Sequence, residues 1–169
     1  MRNKMFYKKL KKQNGFTFLE LLVAIFILSV GTAGVLNLIS QLSASARFVF
    51  DKMTAAYLAQ EGIEITRNIR DSNWIAEKTW DQDIGLGDWE VDYQEQSLGR
   101  LYGARHLNVD ANGFYSYSSG IPTKFTRKIN IQKGVIEPDN IQICVTVDWT
   151  YTLRSHSVYI CERIYNWRR

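Results

Sequence analysis

The pattern of apolar and polar residues changes twice along the chain and predicts three kinds of structure. From Phe16 to about Ile39 the residues are almost all apolar, mainly Phe, Leu, Ile, Val and Ala. A helix of about 24 residues rises about 36 Å, which is enough to cross the hydrocarbon core of a bilayer. The first part of the pattern therefore predicts a transmembrane helix over residues 16–39.

Beyond this apolar run, polar residues return at a spacing that is typical of an amphipathic helix. Over residues 40–72 apolar residues recur at alternating steps of four and three, and charged residues fall mostly between them. Because no proline interrupts residues 16–72, we expect one continuous helix of about 57 residues that ends near Asp71, Ser72 and Asn73. The predicted apolar face consists of Leu42, Ala46, Val49, Met53, Ala56 and Ile63.

From residue 73 onward apolar and polar residues alternate with a period of two, which indicates strands with one solvated face. The pattern predicts an α+β protein in which residues 73–169 form an antiparallel sheet and the amphipathic part of the helix covers its apolar face. The alternation is clearest in residues 89–93, 125–131, 145–149 and 158–160. Turn signals lie between these segments, at Asn112-Gly113, Gly120-Ile121-Pro122 and Pro138-Asp139-Asn140.

Charge is distributed unevenly, and this sets the orientation of the predicted membrane helix. The chain has a formal net charge of +4, but residues 1–15 hold six basic residues and no acidic one, which leaves −2 for residues 16–169. The positive-inside rule places the N-terminus in the cytoplasm and residues 73–169 outside the membrane. Because the basic excess belongs to this leader segment, it gives no support for nucleic-acid binding by the rest of the chain.

A cleaved secretory signal is the alternative interpretation of the N-terminal segment. It would need a short apolar core followed by small residues at a cleavage site, for which Ser43-Ala44-Ser45-Ala46 is the candidate. The apolar run here is longer than such a core, and Glu20 lies inside it. We therefore favour a membrane anchor over a secretory signal.

Residues 15–25, with the sequence GFTFLELLVAI, resemble the N-terminal signature of type IV prepilins and of the pseudopilins of type II secretion. In that family a basic leader ends in glycine and the mature chain opens with phenylalanine. The resemblance implies that a membrane aspartyl peptidase removes residues 1–15 by cleaving between Gly15 and Phe16, and that it methylates the new amino terminus of Phe16. It also implies a pilin-like fold, in which one long N-terminal helix packs on a C-terminal antiparallel sheet.

Glu20 is the acidic residue inside the apolar run, and an ionised carboxylate in hydrocarbon is strongly penalised. In a filament of the family that this chain resembles, the ammonium of one subunit can meet the corresponding acid of a neighbour. Such a pair attracts strongly in a low dielectric. The resemblance therefore implies an assembly salt bridge between Glu20 and the Phe16 ammonium of another subunit. The alternative is an acid near the interface that snorkels to water.

Cys144 and Cys161 lie in the last two predicted strands. If these strands form a hairpin with a loop of about four residues centred on Thr152-Leu153, the two cysteines face each other. Outside the membrane such a pair can oxidise to a disulfide, and the alternative is two free thiols. Their spacing is not that of a zinc site, and we expect neither a metal nor a cofactor.

The sequence contains no recognisable enzyme motif: it has no nucleophile elbow, zinc-protease motif or phosphate loop. We therefore expect a structural protein and not an enzyme. The C-terminal tail contains basic and aromatic residues that could contact single-stranded DNA by charge and stacking. We favour the simpler interpretation, a last strand with a frayed basic end. These tail residues are Arg163, Tyr165, Trp167, Arg168 and Arg169.

The resemblance indicates a minor pilin that is cleaved, N-methylated and assembled into a type IV pilus or a related filament. Residues 58–64 and 165–167 resemble minor pilins more than abundant ones. The expected partners are the prepilin peptidase, other pilin subunits, the pilus assembly machinery and, before assembly, the lipid bilayer. A type II secretion pseudopilin is one alternative, and a membrane-anchored binding domain that never assembles is another.

Overall fold

The computed structural model describes residues 15–98, 100–134 and 139–167. The predicted leader therefore lies outside the described residues except for Gly15, and so do Pro138 of one predicted turn and Arg168 and Arg169 of the tail. The chain divides into two compact units, residues 1–45 and residues 46–169. They are called the N-terminal unit and the C-terminal unit below.

One α-helix, α1 (Phe18–Ile75), contributes to both units and is continuous, as the sequence predicts. It ends slightly later than Asn73, because the residues that follow close a C-terminal cap. Glu77 has a left-handed φ of 56°, and the backbone N–H of Lys78 donates to the carbonyl of Asn73 at 2.9 Å. This is the Schellman arrangement, which usually has glycine at the left-handed position. Because glycine is absent at this position, the sequence contains no signal for this cap, and the predicted end fell a few residues too early.

The C-terminal unit contains a seven-stranded antiparallel sheet, which confirms the predicted α+β class. Its three long strands lie side by side in the order β5, β6, β7, with β7 at one edge of the sheet. The other edge of β5 pairs with both β1 and β3, and these pair in turn with β2 and β4. The strands are β1 (Gly87–Glu90), β2 (Arg100–Leu101), β3 (His106–Val109), β4 (Tyr115–Ser116), β5 (Ile121–Lys133), β6 (Asn140–Tyr151) and β7 (Arg154–Tyr165).

The four predicted strand segments overlap β1, β5, β6 and β7, but the predicted turn at Gly120-Ile121-Pro122 is wrong. Strand β5 begins at Ile121, and only Gly120 lies before it, with a φ of 114°. Pro122 is opposite Asn108, next to an irregularity in the pairing of β3 with β5. Proline is tolerated in a sheet at such a point, because the regular ladder of hydrogen bonds is already interrupted there.

The face of α1 that packs on the sheet differs from the predicted one. Ile63 is buried as predicted, but Leu42, Val49 and Met53 are exposed. The prediction was wrong because the buried face is centred near Gly62 and includes small and polar residues, such as Ala59 and Thr66, that a pattern of large apolar residues does not select. The buried residues of α1 are Ala55, Leu58, Ala59, Gly62, Ile63, Ile65, Thr66, Ile69, Arg70 and Asn73.

Gly62 shows how closely the helix approaches the sheet. A Cβ atom at this position would lie 3.2 Å from both methyl groups of Val145 and 3.3 Å from the Cδ1 atom of Ile129. Both of these sheet residues are completely buried. A larger residue at Gly62 would therefore have to push α1 away from the middle of the core.

Arg127 is a fully buried cation that joins three elements of the core. From β5 its guanidinium donates to the carbonyl of Leu58 on α1 at 3.1 Å and to the carbonyl of Val91 after β1 at 2.6 Å. One of its nitrogens also lies 3.3 Å from a carboxylate oxygen of Glu61 on α1. Burial raises the pKa of Glu61, although the nearby Arg127 charge acts in the opposite direction. The helix is thus fixed to the sheet by polar contacts as well as by apolar packing.

Glu90 is a second fully buried charge, and it organises the segment between β1 and β3. Its carboxylate accepts backbone hydrogen bonds from Gly103 and Arg105 at 2.9 Å each, and a third bond from the Arg105 guanidinium at 2.6 Å. The same guanidinium lies 4.4 Å from the ring centre of Tyr117. Burial acts to raise the pKa of Glu90, but these hydrogen bonds outweigh it, so the pKa lies below its ordinary value.

We expect Glu90→Gln to destabilise the protein by about 1 to 3 kcal/mol at pH 7, since the amide cannot reproduce three bonds to a carboxylate. A lowered carboxyl pKa adds stability above the unfolded pKa of about 4.3, and that stability is lost as the pH falls through the folded pKa. The variant should therefore show a weaker loss of stability in acid. Thermal unfolding of the detergent-solubilised chain between neutral and acidic pH measures both effects.

Glu77→Gln is the matched control, because it makes the same chemical change on an exposed residue. It should unfold like the wild type at each pH. Equal unfolding temperatures for the Glu90 variant and this control would contradict the assigned role of Glu90.

Candidate assembly site

The predicted cleavage site precedes the first turn of α1. Phe16 is 81% exposed, and Gly15 is exposed as well. A Cβ atom at Gly15 would meet no atom within 4 Å. A substitution at Gly15 can therefore act on a peptidase without disturbing the packing of the chain.

Thr17 caps the first turn of α1. Its hydroxyl accepts a hydrogen bond from the backbone N–H of Glu20 at 3.3 Å, and its carbonyl accepts one from Leu21 at 3.1 Å. The spacing from Thr17 to Glu20 is that of a capping box, and sequence reasoning missed it although the signal was present. Thr17 thus provides a hydrogen-bond acceptor for a backbone N–H group at the start of the helix.

Glu20 is exposed and lies in the first turn of α1. The positive end of the helix dipole stabilises a carboxylate at this position by a few tenths of a kcal/mol to about 1 kcal/mol. That gain is smaller than the cost of taking an ionised carboxylate into hydrocarbon. A charged Glu20 therefore still needs a partner from outside its own helix when water is excluded.

The N-terminal unit presents a continuous apolar surface. Phe26, Leu28 and Leu36 are 65–70% exposed, and by length and composition α1 is able to cross a membrane. This surface close to the N-terminus fits a membrane anchor. In water a surface of this kind would favour association with lipid or protein.

Several hydroxyl side chains within this surface bond to carbonyls of their own helix. Ser29 donates to the carbonyl of Phe26 at 2.8 Å, and Thr32 donates to the carbonyl of Leu28 at 3.0 Å. Ser43 donates in the same way to Ile39 at 2.9 Å. Hydroxyls bonded to backbone carbonyls can enter a bilayer without unpaired donors. The helix is therefore compatible with an apolar environment along its N-terminal unit.

Cys144 and Cys161 lie directly opposite each other in β6 and β7, as the predicted register requires. The loop between these strands has two residues, Thr152 and Leu153, and not about four, but its centre is the predicted one. The structure joins the two cysteines in a disulfide. On the opposite face of β6, Val145 is completely buried in the core. The bridge thus lies on the side of the sheet that faces away from α1.

Within the described ranges, no group of three or more His, Cys, Asp or Glu residues is placed to hold a metal ion. The C-terminal tail is partly held on the helix, because the rings of Trp167 and Trp74 lie 4.7 Å apart. The Arg70 guanidinium lies 4.7 Å from the Trp74 ring on the same helix.

Comparison with protein families identifies the N-terminal segment. A family model described as the prokaryotic N-terminal methylation motif matches residues 10–36, of which residues 10–14 lie outside the described structure. This motif is the signature of type IV prepilins, so the resemblance noted in the sequence is confirmed. Neither the curated proteins nor the solved structures gave a match. The motif and the pilin-like fold together support a protein of the type IV pilin or pseudopilin family.

We predict that Cys144 and Cys161 resist alkylation in the full chain until a reductant is added, even after denaturation. The bridge closes a loop with a sequence separation of 17 residues. For a loop of this size we expect the double variant Cys144→Ser, Cys161→Ser to lose about 3 kcal/mol at most. Mass spectrometry after alkylation and thermal unfolding measure the two effects. Ready labelling of both thiols in the unreduced protein would refute the prediction.

Proposed function

We propose that this chain is a minor pilin that is cleaved after Gly15, N-methylated on Phe16 and assembled through α1 into a type IV pilus or a related filament. The observation that carries the proposal is the methylation motif at residues 10–36, which lies at the start of a long apolar helix. Proteins with this motif are structural, which supports a role in polymerisation and not in catalysis.

Before assembly the subunit is a single-pass protein of the cytoplasmic membrane. The basic leader keeps the N-terminus in the cytoplasm and places the C-terminal unit outside. Its first partner is the prepilin peptidase, which acts at the exposed cleavage site. Its later partners are other pilin subunits and the pilus assembly machinery, and its final location is an extracellular or periplasmic filament.

The charge of Glu20 determines how neighbouring subunits pair during assembly. The Ser29 hydroxyl and the cap at Thr17 are satisfied within the chain, whereas the Glu20 carboxylate is exposed. Cleavage creates an ammonium group on Phe16, which is a second charge that needs a partner of opposite sign. In a filament interior that excludes water, either charge without a partner destabilises the structure. The two opposite charges on neighbouring subunits attract each other and offset this cost. The pair therefore sets the register between subunits.

The C-terminal unit offers a second surface for subunit contacts. On α1 the side chains of Val49, Phe50, Met53 and Tyr57 are 47–69% exposed, while the sheet covers the face around Gly62. The exposed residues recur at steps that place them on one side of a helix. Contact with neighbouring helices would remove this apolar surface from water. This supports the use of both halves of α1 in assembly.

A type II secretion pseudopilin is the alternative within the same class, and a membrane-anchored domain that never assembles is the alternative outside it. The first differs in its partners, so the subunits that co-purify with sheared filaments separate it from a pilin. The second has no use for a peptidase site at Gly15. Processing therefore separates it from both filament proteins.

We expect the intact mass of the membrane-extracted protein to match a chain that begins at N-methylated Phe16. Gly15→Leu should leave the precursor uncut, because the added side chain crowds the peptidase and meets nothing in the chain itself. Gly34→Ala is the control, since an added Cβ there also has open space and the site lies away from the cleavage point. Retention of residues 1–15 in the wild type, or cleavage near Ala46, would overturn the proposal.

We expect Glu20→Gln to be inserted and cleaved normally but to enter filaments poorly. Breaking one side of a buried ion pair costs about 3 to 5 kcal/mol, which corresponds to a loss of incorporation of about two orders of magnitude or more. Quantitative immunoblots of sheared filaments and of membranes measure the two steps separately. Glu77→Gln should be incorporated like the wild type. Equal incorporation of both variants would show that Glu20 is an acid that snorkels to water.

A further inference from the structure

One end of the C-terminal unit, called the Phe48 end here, is where the chain arrives from residue 45. The ring of Phe48 on α1 lies 5.9 Å from the ring of Tyr151, the last residue of β6. Asp51 on α1 pairs with Lys124, near the start of β5, at 2.5 Å. Because β5 and β6 are antiparallel, the start of one strand and the end of the other lie at this same end of the sheet.

Two large apolar side chains are exposed at the Phe48 end. Leu153, at the tip of the β6–β7 hairpin, is 99% exposed, and Ile121, the first residue of β5, is 74% exposed. Leu153 also has a φ of 63°, a conformation that a branched side chain adopts at a cost and that glycine or asparagine adopts easily. Neither packing nor the turn geometry explains a leucine at this position.

The exposed charges at this end are basic. Arg47 and Lys52 lie on the first turns of α1 in the C-terminal unit, Arg154 follows the hairpin tip, and Lys124 lies close to the start of β5. The whole of residues 46–169 has a formal charge of −1, whereas this end has four basic residues against three acidic ones, Asp51, Asp110 and Asp148.

The acidic residues of the same end are partly buried, and two of them are bonded inside the unit. Asp51 pairs with Lys124, and Asp110 accepts the backbone N–H groups of Asn112 and Phe114 at 2.8 and 2.9 Å. Asp148 is also half-buried, and it lies in β6 opposite Ser157. The solvent-facing charge at the Phe48 end is therefore positive.

Chain length keeps this end close to the bilayer. Residue 46 follows the predicted end of the membrane segment, Ile39, by seven residues, which span at most about 25 Å even when fully extended. The Phe48 end thus stays near the outer surface of the cytoplasmic membrane for as long as the N-terminal unit is in lipid. This step rests on the membrane anchoring proposed above, and not on filament assembly.

We propose that the Phe48 end of the C-terminal unit binds the surface of an anionic lipid bilayer. Leu153 and Ile121 insert among the headgroups, and Arg47, Lys52 and Arg154 bind lipid phosphates. Each basic residue held at an anionic surface strengthens binding about fivefold. The contact holds the unassembled subunit against the membrane and is lost when the subunit leaves the bilayer.

The test uses the full chain in vesicles of phosphatidylcholine, alone or mixed with phosphatidylglycerol. A fluorescent amino acid replaces Leu153 in one sample and Gln132, an exposed residue at the opposite end of β5, in another. Phospholipids with a nitroxide close to the headgroup quench a probe at the interface. We expect several-fold stronger quenching at position 153 than at position 132, with a further increase when phosphatidylglycerol is present.

A second variant tests the charges without altering the hairpin turn. The combined substitutions Arg47→Gln, Lys52→Gln and Arg154→Gln should abolish the extra quenching that phosphatidylglycerol causes at position 153. Equal quenching at positions 153 and 132 would overturn the proposal. A signal at position 153 that follows protein density and not lipid composition would also overturn it, in favour of a contact between subunits.

Flotation of the vesicles separates this inference from the one on which it rests. An anchored chain that floats but shows no quenching at position 153 refutes the lipid contact alone. A chain that does not float refutes the membrane anchoring, and the lipid contact with it.

Discussion

The unfavourable free energy of apolar surface in water is the constraint on which the rest of this molecule depends. The N-terminal unit leaves side chains such as Leu28 and Leu36 about two-thirds exposed. At about 25 cal/mol for each Å² of apolar surface, such a helix has a strong tendency to leave water for lipid or protein. In the proposed function, insertion in the bilayer and assembly in a filament are two ways to cover the same surface. A change from one to the other therefore exchanges lipid contacts for protein contacts at a small net cost.

Apolar burial drives association but does not select a geometry, so the polar groups of α1 have a separate role. Several of them are satisfied within the helix, as Ser29 and Thr32 are by carbonyls of the preceding turn and Glu20 N–H is by Thr17. A helix whose donors are already paired can slide against its neighbours without losing hydrogen bonds. The Glu20 carboxylate differs, because its charge demands one particular partner. In our proposal this contrast gives the filament its register.

Much of the fold could be predicted from the sequence, because its strongest signals are long and periodic. The uninterrupted helix, the antiparallel sheet and the register of Cys144 opposite Cys161 all follow from such signals. The features that were missed depend on single contacts. The helix ends at a cap with Glu77 in place of glycine, and Pro122 is accommodated beside a pairing irregularity. In the candidate site the sequence resemblance predicts roles for Gly15, Phe16 and Glu20, which stay predictions, while the capping role of Thr17 was overlooked.

The error in the predicted face of α1 has a physical meaning. The helix faces its own sheet with small residues such as Ala55, Ala59 and Gly62, because close approach lets Arg127 reach the carbonyl of Leu58 on the helix. Larger residues such as Leu58 are buried there as well, whereas Val49 and Met53 remain on the side that the sheet does not cover. An apolar pattern shows which surface must be buried, but it does not show which molecule buries it. In this chain the residues around Gly62 serve the intramolecular contact, and the apolar surface around Val49 and Met53 is left uncovered by the sheet.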